Sequence, residues 1–278
     1  MTALSFALLG YPVAHSLSPR LMHAAFAALG LPHRYGLLEC PDAPSLAQAV
    51  RQLADGTLHG ANVTIPHKRS VLSFVDSLHA SAERVGAANV LVRQRDQTVA
   101  YNTDMIALVE RFHAHGLSSG AALVLGNGGA ARAAVCALVE VGVPSVIVTA
   151  RGFRAAAGRA AFDLPSARAV PPEEVRAVLD GAPLSAVVQA TSTEMVDPGA
   201  AAAVLGWVPW ERLGPEALAL DVVYVPKVTE FLREAGRRGY RAEGGAQMLA
   251  GQAAHALGLW LGVDPPREDM LRAVLEEI

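Results

Sequence analysis

The sequence has little of what ties a protein to nucleic acid, to a membrane or to an oxidising compartment. It contains only two cysteines, Cys40 and Cys136, far apart in the chain, which suggests neither a disulfide framework nor a zinc site. The net charge of −3 provides no basic surface for nucleic acid. No apolar run approaches the roughly 18 residues of a membrane span, and the first residues lack the basic segment of a signal peptide. We therefore expect a cytoplasmic protein with no metal site, no membrane contact and no nucleic-acid partner.

What the sequence does contain is an alternation of strand-like and helix-like segments over 278 residues, enough for two domains. Short apolar runs such as Phe6–Leu9 alternate with segments whose apolar residues recur at helical spacing, as in α/β proteins with parallel sheets. One exception is Thr98–Tyr101, which follows a polar turn and is predicted to pair back as a hairpin. We predict one domain over residues 1–103, a second over 104–240, and helices over 241–278 that pack on the first domain.

A glycine-rich loop follows the buried strand Leu123–Leu125 and precedes a predicted helix over Ala131–Val141. This strand–loop–helix context is the one in which a Rossmann fold binds a dinucleotide, with the pyrophosphate at the helix start. The predicted cofactor-binding residues of the loop are Gly126, Asn127, Gly128, Gly129 and Ala130. The alternative is a tight turn with a purely structural role.

The residues after the next strand, Val146–Thr149, indicate which dinucleotide is bound. An NAD site needs an acidic residue there for the ribose 2′-hydroxyl, and none is present. Arg151 and Arg154 stand there instead, and two guanidinium groups suit the 2′-phosphate of NADP. The alternative is an ordinary basic start of a helix. We predict NADP.

Polar residues of the first domain suggest a pocket for a small hydroxylated molecule. Asn62 and Thr64 alternate with apolar neighbours, and Lys68 follows them closely. Asp104 stands where the hairpin strand gives way to a helix. Taken singly, Asp104 reads as a helix N-cap and Lys68 as a solvated side chain. Ser18, followed by Pro19, is predicted to cap the first helix.

In combination these motifs resemble those of the shikimate dehydrogenase family. The resemblance runs in order along nearly the whole chain and is far more specific than the glycine loop. The matching segments are Gly10–Pro19, Asn62–Lys68, Gly86–Asn89, Asn102–Asp104, Gly126–Ala131, Ala190–Ser192, Asp221–Pro226 and Met248–Ala253.

The resemblance implies an NADP-dependent oxidoreductase of aromatic amino acid biosynthesis that interconverts 3-dehydroshikimate and shikimate, active as a monomer or homodimer. By this similarity Lys68 and Asp104 are the catalytic pair. Further residues implied at the substrate are Ser16, Ser18, Asn62, Thr64, Asn89, Tyr224 and Gln252, with Asp104 among them. Those implied at the cofactor, besides the loop and the arginines, are Thr191, Val222 and Gly245.

Several positions depart from the family pattern and leave alternatives open. Val90 replaces a usual Thr, Met105–Ala107 replaces a usual Gly-x-Gly, and Ala150 and Gly152 flank Arg151 where the family has Asn and Thr. A quinate dehydrogenase or a broad enzyme for shikimate-like acids, aminated ones included, is therefore one alternative. A non-catalytic module that senses the cofactor is another. Ser18 favours shikimate, since quinate-preferring members often have Thr there.

Overall fold

The computed structural model describes residues 2–179, 181, 183–193 and 201–278. These form two compact units, each with its own sheet. The first unit comprises Met1–Ala107 and Leu249–Glu277, and the second comprises Leu108–Met248 with Ile278. Within the described ranges, no helix is long and apolar enough to cross a membrane.

The first unit contains a six-stranded mixed sheet. Its strands are β1 (Ser5–Gly10), β2 (Arg34–Glu39), β3 (Gly60–Val63), β4 (Ser77–Leu78), β5 (Val90–Gln94) and β6 (Gln97–Tyr101), in the order β2-β1-β3-β5-β6-β4. β1 is parallel to both of its neighbours, whereas β5 is antiparallel to both β3 and β6. The predicted hairpin is confirmed as β5–β6, in which Val90 pairs with Tyr101. The sheet is mixed because β1, β2 and β3 are parallel, whereas β5, the first strand of the hairpin, runs in the opposite direction.

The helices that belong wholly to the first unit lie around this sheet. They are α1 (Ser18–Ala28), α2 (Ala43–Ala54), α3 (Ala80–Val85) and α10 (Arg267–Leu275), with a 3₁₀ helix over Ser70–Phe74. Two further helices, α4 (Asp104–Ala114) and α9 (Ala246–Leu261), each contain a boundary between the units. The prediction that Ser18 caps α1 is wrong. Leu17 occupies the cap position and Ser18 is the first helical residue.

The C-terminal helices contact the sheet and α1 through specific side chains. The Trp260 ring stacks on Phe6 at 4.8 Å between centroids, and its indole N–H donates to the Leu91 carbonyl at 3.0 Å. Arg20 of α1 donates to the Ala273 carbonyl of α10 at 3.0 Å. A ring contact and two side-chain hydrogen bonds therefore fix the end of the chain to the first unit.

The second unit contains a wholly parallel six-stranded sheet. Its strands are β7 (Ala121–Leu125), β8 (Ser145–Thr149), β9 (Arg168–Val170), β10 (Leu184–Gln189), β11 (Leu213–Asp221) and β12 (Arg241–Glu243). Their order, β12-β11-β10-β7-β8-β9, is that of a doubly wound Rossmann sheet. The order reverses between β7 and β10, and ligands of such sheets bind beyond the carboxyl ends of the strands at that point.

The helices of the second unit connect these strands. They are α5 (Gly129–Glu140), α6 (Ala156–Ala160), α7 (Ala201–Trp207) and α8 (Glu230–Arg237), with 3₁₀ helices over Arg151–Arg154, Pro172–Glu174 and Trp210–Arg212. β11 ends at Asp221. Asp221 is fully buried there and accepts the N–H of Val223 at 2.9 Å and the hydroxyl of Thr229 at 2.7 Å. These two hydrogen bonds fix the segment that follows β11.

Candidate active site

Lys68 and Asp104 form an ion pair in the first unit. The Lys68 Nζ lies 2.6 Å from Asp104 Oδ2, and the two side chains are 17% and 3% exposed. Lys68 follows β3, and its own carbonyl accepts the N–H of Ala88 at 2.7 Å. A cation held in this way beside a buried carboxylate can transfer a proton and stabilise negative charge on a substrate.

The carboxylate of Asp104 is not used as a helix cap. Asp104 is the first residue of α4, and the side-chain oxygen of Asn102 accepts the N–H of Met105 at 3.0 Å. Asp104 Oδ1 instead accepts the amide N–H of Asn89 at 2.9 Å. The N-terminus of α4 also favours a negative charge at this position. The reading of Asp104 as a plain N-cap is therefore excluded.

The Asn89 side chain joins three segments around Asp104. Its Oδ1 accepts the N–H of Thr103 at 2.7 Å, which fixes the orientation of the amide. Its Nδ2 lies 2.9 Å from Thr103 Oγ1, 2.9 Å from Asp104 Oδ1 and 3.1 Å from Gln252 Oε1. The amide has two hydrogens for these three acceptors. The structure thus brings Lys68, Asn89, Asp104 and Gln252 together, although Gln252 comes from the far end of the chain.

Asn62 and Thr64 differ in what their side chains contact. Asn62 is 5% exposed; its Oδ1 accepts the hydroxyl of Tyr35 at 2.7 Å and its Nδ2 donates to the Asn89 carbonyl at 3.2 Å. Thr64 lies just beyond β3, is half-buried, and its backbone N–H donates to the Leu9 carbonyl at 2.9 Å. Asn62 therefore supports the backbone at Asn89, whereas Thr64 keeps a partly open side chain.

Ser16 and Ser18 bring two hydroxyls to the start of α1. Ser16 Oγ accepts the N–H of Ser18 at 3.2 Å and lies 3.1 Å from Ser18 Oγ. The helix has 11 residues, no side-chain cap and no acidic residue in its first turn. Hydroxyls beside the open N–H groups of a helix suit a carboxylate ligand.

The glycine-rich loop of the second unit has the backbone of a phosphate cradle. Gly126 adopts a φ of 123°, and a Cβ there would lie 2.8 Å from the Ala190 carbonyl oxygen, so only glycine fits. Gly128 caps α5 without a side chain and has open space around it, and no acidic residue stands in the first helical turn. The free N–H groups of Gly129 and Ala130 suit a pyrophosphate. These residues fit a dinucleotide.

The two arginines lie beside this loop. Both belong to the 3₁₀ helix after β8 and are exposed. A Cβ at Gly152, between them, would lie 3.6 Å from the side-chain nitrogen of Asn127. The arginine turn and the glycine loop therefore adjoin at the carboxyl end of β8.

The remaining predicted residues also lie in the second unit, after β10, β11 and β12. The N–H of Thr191 donates to Gln189 Oε1 at 2.8 Å, and that of Val222 donates to the Gln189 carbonyl at 3.0 Å. The N–H of Gly245 donates to the Val223 carbonyl at 3.0 Å, and a Cβ on Gly245 would lie 2.3 Å from the Val222 oxygen. Tyr224 is half-buried in the same segment, whereas the other predicted substrate residues lie in the first unit.

Comparison with known proteins places the chain in a family. A model of the shikimate dehydrogenase substrate binding domain matches residues 8–91, and one of the shikimate 5′-dehydrogenase C-terminal domain matches residues 245–275. A shikimate dehydrogenase (NADP(+)) of Geobacter sulfurreducens is 39% identical over 280 residues, covering 96% of this chain and 94% of the relative. The chain belongs to the shikimate dehydrogenase family.

Other shikimate dehydrogenases are similar in sequence and in structure. The enzyme of Anaeromyxobacter dehalogenans is 40% identical, covering 97% of this chain and 95% of the relative. The crystal structure of Thermus thermophilus shikimate 5-dehydrogenase in complex with NADP(H) and shikimate superposes with a TM-score of 0.82 at 36% identity, covering 99% of this chain and 100% of that one. A 5-ketofructose reductase of Gluconobacter, 24% identical with a TM-score of 0.82, shares the fold alone.

The structure adds residues to this shikimate dehydrogenase-like site that sequence reasoning missed. Thr103 links Asn89 to α9, because its hydroxyl also donates to the Gln252 carbonyl at 2.9 Å. Asn102 caps α4, and Tyr35 holds Asn62. Asn102 and Thr103 stand in the motif that ends at Asp104, so the sequence carried a signal for both. No sequence signal links Tyr35 to Asn62.

Proposed function

We propose that this member of the family is an NADP-dependent shikimate dehydrogenase that interconverts 3-dehydroshikimate and shikimate. The observation that carries the proposal is the Lys68–Asp104 pair at 2.6 Å, with Asn89 bonded to the same carboxylate. A cofactor-sensing module has no use for a lysine held beside a buried aspartate. The relatives named as NADP(+)-dependent shikimate dehydrogenases support the choice of both substrate and cofactor.

The chemistry follows from the charge that develops on the substrate. NADPH supplies the hydride when it is bound. As the ketone carbon gains a hydrogen, its oxygen becomes an alkoxide, and the Lys68 Nζ donates a proton to it. Asp104 holds the ammonium in place and stabilises its charge beforehand. In the reverse direction the neutral amine of Lys68 accepts the hydroxyl proton of shikimate.

The first unit is proposed to bind the substrate. Ser16 and Ser18 would hold its carboxylate, and Thr64, Asn89 and Gln252 its hydroxyls. Asn62 would act through Asn89, since its own polar atoms contact protein. In this proposal residues 1–103 form the substrate domain, and the helices of residues 241–278 pack on it.

The second unit is proposed to bind NADP, with residues 104–240 as the Rossmann domain. The N–H groups after Gly128 would hold the pyrophosphate, and Arg151 and Arg154 the 2′-phosphate. Thr191, Val222 and Gly245 would lie on the nicotinamide side. The cytoplasmic location, the place in aromatic amino acid biosynthesis and the monomeric or dimeric state are further predictions.

One spectrophotometric screen tests the proposal. Shikimate and quinate are each assayed with NADP and with NAD, following absorbance of the reduced nicotinamide. We expect the largest kcat/KM for shikimate with NADP. A protein that binds NADP but turns over neither acid would support the sensing module instead.

A further inference from the structure

Arg154, one of the two arginines proposed to bind the 2′-phosphate, is already paired with a carboxylate. Its Nε lies 3.3 Å from Glu173 Oε2, with the two side chains 55% and 57% exposed. Arg151 is also exposed and makes no ion pair with any residue that the structure describes. The two members of the pair therefore differ in their electrostatic surroundings.

Packing fixes the turn that carries Arg154. Phe153 is fully buried and meets the Phe162 ring edge-on at 5.6 Å between centroids. The Arg159 guanidinium donates a hydrogen bond to the Phe153 carbonyl and so stabilises the turn. Arg151 and Arg154, on either side of this buried ring, are thereby held at the surface.

Packing also fixes the segment that carries Glu173. Glu173 stands in the 3₁₀ helix Pro172–Glu174, one residue after β9, and this helix begins at the buried Pro172 and is followed by the buried Val175. β9 is the neighbour of β8, so both turns lie at the same carboxyl edge of the sheet. Glu173 and its neighbour Glu174 are both exposed, but only Glu173 is paired with Arg154.

We infer that Glu173 is a specificity-determining residue that weakens the preference for NADP over NAD. The inference rests on the proposed function, in which the arginine pair binds the 2′-phosphate. A phosphate that approaches Arg154 must compete with the carboxylate of Glu173 and is repelled by its charge. NAD carries no 2′-phosphate, so its binding does not depend on this competition.

The size of the effect follows from the exposure of the pair. Ion pairs between exposed side chains contribute about 0.2–1 kcal/mol, which corresponds to at most about a fivefold change in affinity. Glu173→Gln keeps the shape of the side chain and removes its charge. We expect it to tighten binding of a 2′-phosphorylated nucleotide about two- to fivefold, and less at high salt.

The test measures binding to the free protein by calorimetry, with no turnover required. The probes are 2′,5′-ADP, which carries the 2′-phosphate, and 5′-AMP, which lacks it. The matched control is Glu174→Gln, which makes the same change of charge one residue away in the same exposed turn. We expect Glu173→Gln to tighten the binding of 2′,5′-ADP but not that of 5′-AMP, and Glu174→Gln to have a smaller effect. In the double variant that combines Glu173→Gln with Arg154→Gln, the gain in affinity for 2′,5′-ADP should be abolished.

The possible outcomes separate this inference from the proposed function. If the unaltered protein prefers 2′,5′-ADP but Glu173→Gln leaves its affinity unchanged, the inference is wrong and the NADP assignment stands. Weaker binding by Glu173→Gln also overturns it and shows that Glu173 positions Arg154 for the phosphate. Equal affinity of the unaltered protein for both nucleotides overturns the NADP assignment and the inference together.

Discussion

Asn102 caps α4 by accepting the N–H of Met105 at 3.0 Å. The carboxylate of Asp104, the first residue of the same helix, can therefore bind groups outside the helix. One Asp104 oxygen accepts from Lys68 and the other from Asn89. The chain thus separates the residue that stabilises the helix start from the residue that holds the catalytic lysine.

Lys68→Ala should lower kcat by roughly 10²–10⁴-fold, because it removes the group that protonates the alkoxide. Binding of shikimate and NADP should survive, which calorimetry can measure. Arg69→Ala is the control, since Arg69 is an exposed neighbouring cation. Near-normal turnover in the Lys68 variant would return Lys68 to the role of a solvated side chain.

Arg151→Gln should raise KM for NADP far more than KM for NAD, because only NADP offers a 2′-phosphate to the guanidinium. Steady-state kinetics with both cofactors, at saturating shikimate, measure the two effects. Arg34→Gln makes the same change of charge at an exposed position of the first unit and should alter neither value. Equal increases for both cofactors would show that Arg151 does not contact the 2′-phosphate.

Thr103→Val should lower both stability and kcat/KM, because it leaves the Asn89 amide and the Gln252 carbonyl without their hydroxyl partner. An intramolecular hydrogen bond contributes about 0.5–1.5 kcal/mol to stability, a loss that urea unfolding can measure. Thr103→Ser keeps the hydroxyl and is the control. If Val and Ser have the same effect on kcat/KM, the hydroxyl does not orient Asn89 for the substrate.

Glu243 should make the second unit more stable above pH 4.5 than below it. Burial raises the pKa of this carboxyl, but hydrogen bonds and charges from Arg111 and His115 outweigh burial and lower the pKa from its usual 4.5. Because the folded-state pKa is the lower one, its contribution is present above the unfolded pKa and is lost as pH falls through the folded value.

Urea unfolding of Glu243→Gln between pH 3 and pH 7 measures that contribution. The variant should be less stable than the unaltered protein at pH 7, and the difference should shrink as the solution becomes more acidic. Glu216→Gln is the control, because the Glu216 side chain is 84% exposed. A difference that does not depend on pH would contradict the expectation.

Shikimate should be preferred over quinate by roughly 5- to 150-fold in kcat/KM. Quinate adds a tertiary hydroxyl beside the carboxylate, and a pocket shaped for the flat acid leaves that hydroxyl without a partner, at about 1–3 kcal/mol. Val90 does not change this expectation, since it is fully buried with Val92 and Ala256 in an apolar cluster. Both acids are assayed with saturating NADP at one pH. A ratio of one or below would refute the preference, and Ser18→Thr should reduce it.

The sequence by itself determined the order of strands and helices, the glycine loop and the lysine motif. These features depend on residues close together in the chain: alternating apolar residues, a glycine that alone fits a φ of 123° at Gly126, and a strand that stops before Lys68. Residue type and spacing carry such information directly. The hairpin over β5 and β6 was predicted in the same way from its polar turn.

Only the tertiary structure decided which polar groups meet. The side chains of Asn89 and Gln252 are 163 residues apart in the chain and 3.1 Å apart in space. The Tyr35 hydroxyl donates to the side-chain oxygen of Asn62. Glu173 pairs with Arg154 across the ends of two neighbouring strands. Each polar side chain had several possible partners in the sequence. Packing of the sheets and helices selects one of them, because a buried donor or acceptor must find its partner where the fold places it.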